Sequence, residues 1–157
     1  ELKLLLVEGL LNKAEYSALF AEEAERVKFL ASKANILVVD DNEVNLQIAQ
    51  GLLKKLGVNA ELAESGFKAL ELISKKDYDI IFMDHQMPVM DGHEATRRIR
   101  NLEDKELAKV PVVAMTANAF DEDRKAAKEC GMNGFISKPI NMQELVQALR
   151  MCLQDHK

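Results

Sequence analysis

The sequence predicts an α/β protein in which a parallel, five-stranded sheet is wound on both faces by helices. Past residue 34, short apolar runs alternate with amphipathic stretches of helical length. Several of these runs are apolar at successive positions, as strands covered on both faces require. Gly57, Pro88, Asp91-Gly92, Gly131 and Gly134 punctuate the boundaries between segments.

Residues 2–33 lack proline and are rich in Ala, Leu, Glu and Lys, which favours helix. Leu4, Val7, Leu11, Ala14, Ala18 and Ala21 recur at spacings of 3, 4, 3, 4 and 3, a heptad-like seam. The frame fails beyond Ala21, where Glu25 and Lys28 take the next positions. Residues 1–33 are therefore expected to be a helical linker or the tail of a preceding domain. A helix that joins two chains as a homodimer, or packs on the domain that follows, is the alternative. The chain opens with Glu1, so its start is expected to be a boundary within a longer protein. Leu4 to Val7 is too short, and too closely flanked by acids, for a signal-peptide core.

The second unit is expected over 34–157. Its strands are predicted at Ile36–Val39, Ala60–Ala63, Ile80–Met83, Val112–Met115 and Phe135-Ile136. Helices are predicted near Glu43–Leu56, Gly66–Lys76, Gly92–Leu102, Asp121–Cys130 and Asn141–Leu153.

Composition narrows the function. With 21 basic and 26 acidic residues and a net charge of −5, no Lys/Arg stripe marks a nucleic-acid surface. Cys130 and Cys152 stand far apart, so reduced thiols in the cytosol are expected rather than a disulfide framework or a zinc site. No apolar run approaches the ~20 residues that cross a bilayer. A cytoplasmic domain without direct membrane contact is expected, any anchor belonging to the parent protein.

Ligand sites in such sheets lie beyond the carboxyl ends of the strands. Asp40 and Asp41 follow the first strand, Asp84 the third, Thr116 the fourth, and Lys138 sits just past the fifth. Any one of them alone is better explained as a cap or solvated loop residue. Their fall on successive strand ends at one edge is not. Converging carboxylates repel one another and favour a hard divalent cation such as Mg²⁺. A hydroxyl and an ammonium facing that cation suit a phosphoryl group. Asp84 is then a carboxylate nucleophile that can form an aspartyl phosphate.

These residues carry a resemblance. Asp40-Asp-Asn-Glu-Val-Asn45, Met83-Asp-His-Gln-Met-Pro-Val-Met-Asp-Gly92, Met115-Thr-Ala-Asn118 and Phe135-Ile-Ser-Lys-Pro139 resemble the response-regulator receiver family, in wording closest to receivers of hybrid sensor histidine kinases. The resemblance covers about residues 35–154. It implies a flavodoxin-like strand order, 2-1-3-4-5. It makes Asp84 the phosphorylated aspartate and Asp40 and Asp41 the acidic pair that serves Mg²⁺, with the main-chain carbonyl of Gln86 as a further ligand. Thr116 and Lys138 match the pair that contacts the phosphoryl oxygens, and Phe135 the aromatic switch position. Gln86 and Asn118 match positions that border the path of hydrolytic water and tune dephosphorylation. A cis Lys138–Pro139 bond is implied too. The implied function is a phosphorelay receiver that catalyses only its own phosphoryl transfer and dephosphorylation. Its phosphodonor would be a histidine kinase or a histidine phosphotransfer protein, and its parent chain a hybrid kinase.

Other features are weighed against plainer roles. His85 and His93 lack metal-ligand spacing and are expected to be solvated loop residues. Met83, Met87, Met90, Met115 and Met132 are expected to fill the core and loops. In the helix after Asp41, Val44, Leu46, Ile48, Ala49, Leu52, Leu53 and Leu56 cover an arc of about 200°, wider than a core stripe needs. Either that helix is deeply buried, or its Val44/Ile48 edge docks a partner's histidine-bearing helix. A haloacid-dehalogenase-like phosphatase also uses an Asp nucleophile with Mg²⁺, Thr and Lys. That family resembles Asp-x-Asp, however, and Gln86 stands where its acid would be. A flavodoxin-type cofactor binder is disfavoured because the loop after the first strand is acidic and would repel a cofactor phosphate.

Overall fold

The computed structural model describes residues 9, 12–117 and 121–154, the side chains of 121–123 and 154 excepted. Helix α1 (Lys13–Ala31) comes first, then β1 (Ile36–Val39), α2 (Glu43–Lys55), β2 (Glu61–Ala63), α3 (Gly66–Ile73) and β3 (Ile80–Asp84). These are followed by α4 (Gly92–Arg100), a one-turn α5 (Lys105–Ala108), β4 (Val112–Thr116), α6 (Asp121–Glu129), β5 (Gly134–Ser137) and α7 (Met142–Gln154). The strands form one parallel sheet in the order β2-β1-β3-β4-β5, the order that the resemblance implied.

Continuous apolar runs are explained by the sheet's two covered faces. Ile36, Val38, Ile80, Phe82, Val113, Met115 and Ile136 enter one core, with Leu46, Ala49 and Leu53 of α2 and Leu145 and Leu149 of α7. Leu37, Val39, Ile81, Met83, Val112 and Ala114 enter the other, with Ala69 and Ile73 of α3, Ala95 and Ile99 of α4, and Ala127 of α6. Side chains alternate across a strand, so both faces need apolar residues. The five methionines considered above are all buried, as expected.

Helix starts are fixed by side chains that accept from otherwise unpaired N–H groups. Asn42 caps α2, Ser65 caps α3, Asp91 caps α4 and Asp104 caps α5. Asn12 and Glu15 form a reciprocal capping box on α1. Helix α5 was not foreseen, because four residues are too few to show a helical period.

Helix α1 packs on the folded body through a face that the heptad seam did not mark. Val27 and Ala31 are 0% and 1% exposed and share the core with Val146 and Leu149 of α7. Phe20, Ala24 and Leu30 pack against it half-buried, and Glu23 pairs with Arg150 of α7 at 2.8 Å. The seam residues Ala14, Ala18 and Ala21 face solvent, while Leu4, Val7 and Leu11 lie outside the described residues. Alanine buries little area, and the body instead takes the aromatic and branched side chains.

A substitution series tests this packing. Val27→Ala should lower stability by about 2 kcal/mol, from lost methyl burial and the void left behind. Ala18→Ser should change it by less than about 0.5 kcal/mol. Denaturant midpoints of the full chain would separate a docked helix from a free tail, for which both substitutions would be silent.

Candidate functional site

The carboxyl ends of β1, β3, β4 and β5 meet at one edge of the sheet, and the predicted residues meet there. Asp40 directly follows β1, Asp84 ends β3, and Thr116 ends β4. Lys138 follows β5, its N–H donating to the Thr116 carbonyl at 2.8 Å. Asp40, Asp84 and Thr116 are 0%, 2% and 5% exposed, whereas Asp41 is exposed at the rim. The Lys138–Pro139 bond is cis, in agreement with the expectation.

One ammonium serves two buried acids. Lys138 Nζ donates to Asp84 Oδ1 at 2.6 Å and lies 3.1 Å from Asp40 Oδ2. Asp40 Oδ1 accepts from the Asn42 N–H at 2.9 Å, and Asp84 Oδ1 from the Gln86 N–H at 3.3 Å. Burial pushes the Asp84 carboxyl up to about 6; Asp40's charge adds to that rise, and Lys138 opposes it. The Lys138 ammonium sits above its ordinary range: burial would lower it, but its hydrogen bond to Asp84 and its attraction to Asp84 and Asp40 outweigh burial.

The site fits a hard divalent cation. Asp40, Asp41 and Asp84 each bring a carboxylate oxygen to within 4.8 Å of the others. Asp40 Oδ2 is buried and takes part in an ion pair but in no hydrogen bond. An all-oxygen donor set with such an unsatisfied lone pair suits Mg²⁺ chemically.

Close packing locks the loop after Asp84. A Cβ on Gly92 would fall 2.2 Å from the Asp84 carbonyl oxygen, so only glycine allows α4 to start this near the end of β3. Gly92 N–H donates back to the His85 carbonyl at 3.2 Å. Val89 adopts a φ of 69° and is 94% exposed, an unusual backbone state for a β-branched residue. His85 and His93 differ from expectation. Both are half-buried, and their rings meet edge-on with centroids 4.4 Å apart, because Gly92 draws the two ends of the loop together.

Of the remaining predicted positions, Gln86 is exposed beside Asp84, and Asn118 lies outside the described residues. Phe135 is half-buried on β5. The wide apolar arc of α2 splits: Leu46, Ala49 and Leu53 are buried, while Val44 and Ile48 are 63% and 44% exposed beside the acidic edge. Two contacts near the site were not foreseen. Arg124 stacks over Phe135 with its guanidinium carbon 4.4 Å from the ring centroid. Ser137 donates through its N–H and its hydroxyl to Glu144, both at 3.3 Å, tying β5 to α7. Both join residues on separate elements, and periodicity says nothing about such pairs. Among the described residues, no helix is long and apolar enough to cross a membrane.

Fold and acidic edge together define a class of phosphoryl-accepting signalling domain. A family model described as the response regulator receiver domain matches residues 36–150, and the chain belongs to that family. The match decides between the receiver and the phosphatase in favour of the receiver.

Among its relatives is histidine kinase 3 of Arabidopsis thaliana, 42% identical over 129 residues, covering 70% of this chain but 12% of the kinase. Probable histidine kinase 4 of Oryza sativa subsp. japonica is 43% identical over 138 residues, covering 76% of this chain and 14% of that protein. The chain thus spans only a small fraction of these relatives. A solved receiver domain of a Pseudomonas aeruginosa sensor histidine kinase, with magnesium in its active-site cleft, is 37% identical at a TM-score of 0.70. That match covers 77% of this chain and 98% of the other. The receiver domain of a Saccharomyces cerevisiae response regulator, solved in complex with a histidine phosphotransfer protein, aligns at a TM-score of 0.73 and 31% identity. It covers 79% of this chain and 91% of that one.

The charge imbalance sets a stability signature. Asp84 is held at about 6 against an ordinary 3.8, so the folded state keeps that proton more tightly than the unfolded chain. Its contribution to stability therefore falls as pH rises through that window and is level above it. In metal-free buffer at pH 8, Asp84→Asn should be more stable than wild type by about 2–3 kcal/mol. The difference should shrink as pH falls from about 6 and vanish below the ordinary value of 3.8. Chemical denaturation across that range checks both arms.

Proposed function

We propose that this chain is a phosphorelay receiver in which Asp84 takes a phosphoryl group from a phosphohistidine. The donor would be a histidine kinase or a histidine phosphotransfer protein. The observation that supports this most directly is the buried Asp84 carboxylate with Lys138 at 2.6 Å, beside two further acids. In the transfer, an Asp84 carboxylate oxygen bonds to phosphorus as the phosphorus–nitrogen bond breaks. The bonding pair leaves with the donor's imidazole nitrogen.

Asp40, Asp41, Asp84 and the main-chain carbonyl of Gln86 would hold Mg²⁺, which when bound supplies positive charge against an anionic donor. Lys138 neutralises charge on the incoming phosphoryl oxygens, and Thr116 donates its hydroxyl to one of them. Movement of Thr116 toward that group frees space on its side of the sheet. Phe135 lies on the same side: it pairs with Ala114 in register, two residues before Thr116. Without a hydroxyl, Phe135 tolerates an inward, apolar position.

Val44 and Ile48 supply an apolar edge next to the acceptor for a partner's histidine-bearing helix. Gln86 and Asn118 carry amides that hydrogen-bond but cannot act as bases. Slow to intermediate self-dephosphorylation, suited to relay, is expected from them.

Intact-mass measurement after incubation with a small phosphodonor tests the assignment. One phosphoryl group should appear on wild type only when Mg²⁺ is present, and none on Asp84→Asn. Lys138→Ala should accept phosphate without passing the change to β5 and α7, as followed by backbone NMR. Gln86→Ala should alter the decay rate several-fold with Mg²⁺ affinity nearly intact. Undiminished labelling of Asp84→Asn would overturn the assignment.

A further inference from the structure

The ring of Phe135 has a charge over its face. Arg124 is exposed on α6, and its guanidinium carbon stands 4.4 Å from the centre of the ring. Three other cation–ring pairs occur among the described residues, at 5.6 to 6.0 Å. Phe135 differs from Phe29 and Phe67, which are 71% and 52% exposed, in being packed half-buried against the core under α3, α4 and α6. The chain leaves Thr116, passes through α6 and returns in β5, so this contact closes the segment between the proposed phosphoryl contact and the ring.

We infer that Arg124 is a positioning residue that holds the half-buried Phe135 ring where it stands, under the guanidinium (called the outward state below), and so sets how readily the site accepts a phosphoryl group. The inference rests on the phosphoryl-accepting role proposed for Asp84 and the ring movement proposed for Phe135. The face of a benzene ring is electron-rich and attracts a guanidinium. A ring that turns inward toward the Thr116 side leaves that cation behind, since Arg124 is anchored on a solvent-facing helix. The contact therefore stabilises the outward state alone. A ligand favouring the inward state must then bind more weakly, by the factor with which the contact favours the outward one. For a cation–ring pair at a partly exposed site that factor is about two to five.

The test uses the full chain and beryllium fluoride with Mg²⁺ as the phosphoryl analogue. Arg124→Gln removes the charge at similar length and should bind the analogue about two- to five-fold more tightly than wild type. Arg124→Lys, which keeps a cation, should return affinity toward wild type. Arg98→Gln serves as control, because it removes a cation from the exposed Phe67 ring at 6.0 Å, and should leave affinity unchanged. A second readout is taken on the ligand-free variant. With ring-labelled phenylalanine, and Phe135 signals identified through Phe135→Leu, Arg124→Gln should move those signals toward their analogue-bound positions. Equal affinities and unmoved ring signals, in a wild type that does bind the analogue, would overturn the inference alone. Failure of wild type to bind the analogue would overturn the phosphoryl-site proposal, and this one with it.

Discussion

Asp40 and Asp84 lie at 0% and 2% exposure, and Lys138 is the ammonium that reaches both, so the end of the sheet carries a buried charge imbalance. Burying a carboxylate is unfavourable unless a partner compensates for lost water. Here the compensation is incomplete, as the raised Asp84 carboxyl and the unsatisfied Asp40 oxygen indicate. A fold selected for stability alone would replace one of these acids with an apolar side chain. Keeping both makes sense if the missing positive charge arrives with a ligand. The imbalance then becomes affinity for a cation, and the cation's charge becomes tolerance for an anionic phosphoryl donor.

The sheet makes such crowding possible. Parallel strands all end at one edge, so residues far apart in sequence converge without any loop having to fold inward. Asp84 pairs with Met115 in register, and Thr116 with Ser137, which sets Lys138 one residue past the pair. Backbone groups at this edge are also paired: the His85 N–H donates to the Met115 carbonyl at 2.9 Å. Side chains there are held by a continuous ladder rather than by mobile loops, and rigid placement of charge is what favours a transition state.

Much of this was legible in the sequence, for identifiable reasons. Unbroken apolar runs marked strands covered on two sides, and polar residues just past four of the five runs marked the acidic edge. Val44 and Ile48 stood out because they widened the apolar arc of α2 beyond what a core stripe needs, and they are exposed. What stayed hidden depends on pairs of elements. The face that α1 buries was obscured by alanines at heptad spacing, while its real contacts, Val27 with the core and Glu23 with Arg150, need α7 beside them. The meeting of His85 and His93 depends on the tight turn at Gly92, a distance no residue pattern encodes.

The two ends of β4 and β5 are built differently. At their amino ends, the Arg100 guanidinium donates to the carbonyls of Ala108 and Val110 at 2.8 and 2.7 Å and to Gly131 at 2.8 and 3.0 Å. It also reaches Asn133 Oδ1 at 2.8 Å, and that same oxygen accepts from the Val112 N–H at 2.9 Å. Charge-assisted bonds from a planar group fix geometry strongly, and these five join α4 to the starts of both strands. At the carboxyl ends, cohesion depends instead on Lys138 and its acids, whose balance any incoming charge must alter. The Ser137–Glu144 bonds, at 3.3 Å, are the longer kind that yield more easily. The side-chain bonds thus tie β4 and β5 more closely at their amino ends than Ser137 and Glu144 do at the carboxyl end. On the switching route proposed above, the change would run toward Thr116, Phe135 and the start of α7, away from the Arg100 clamp.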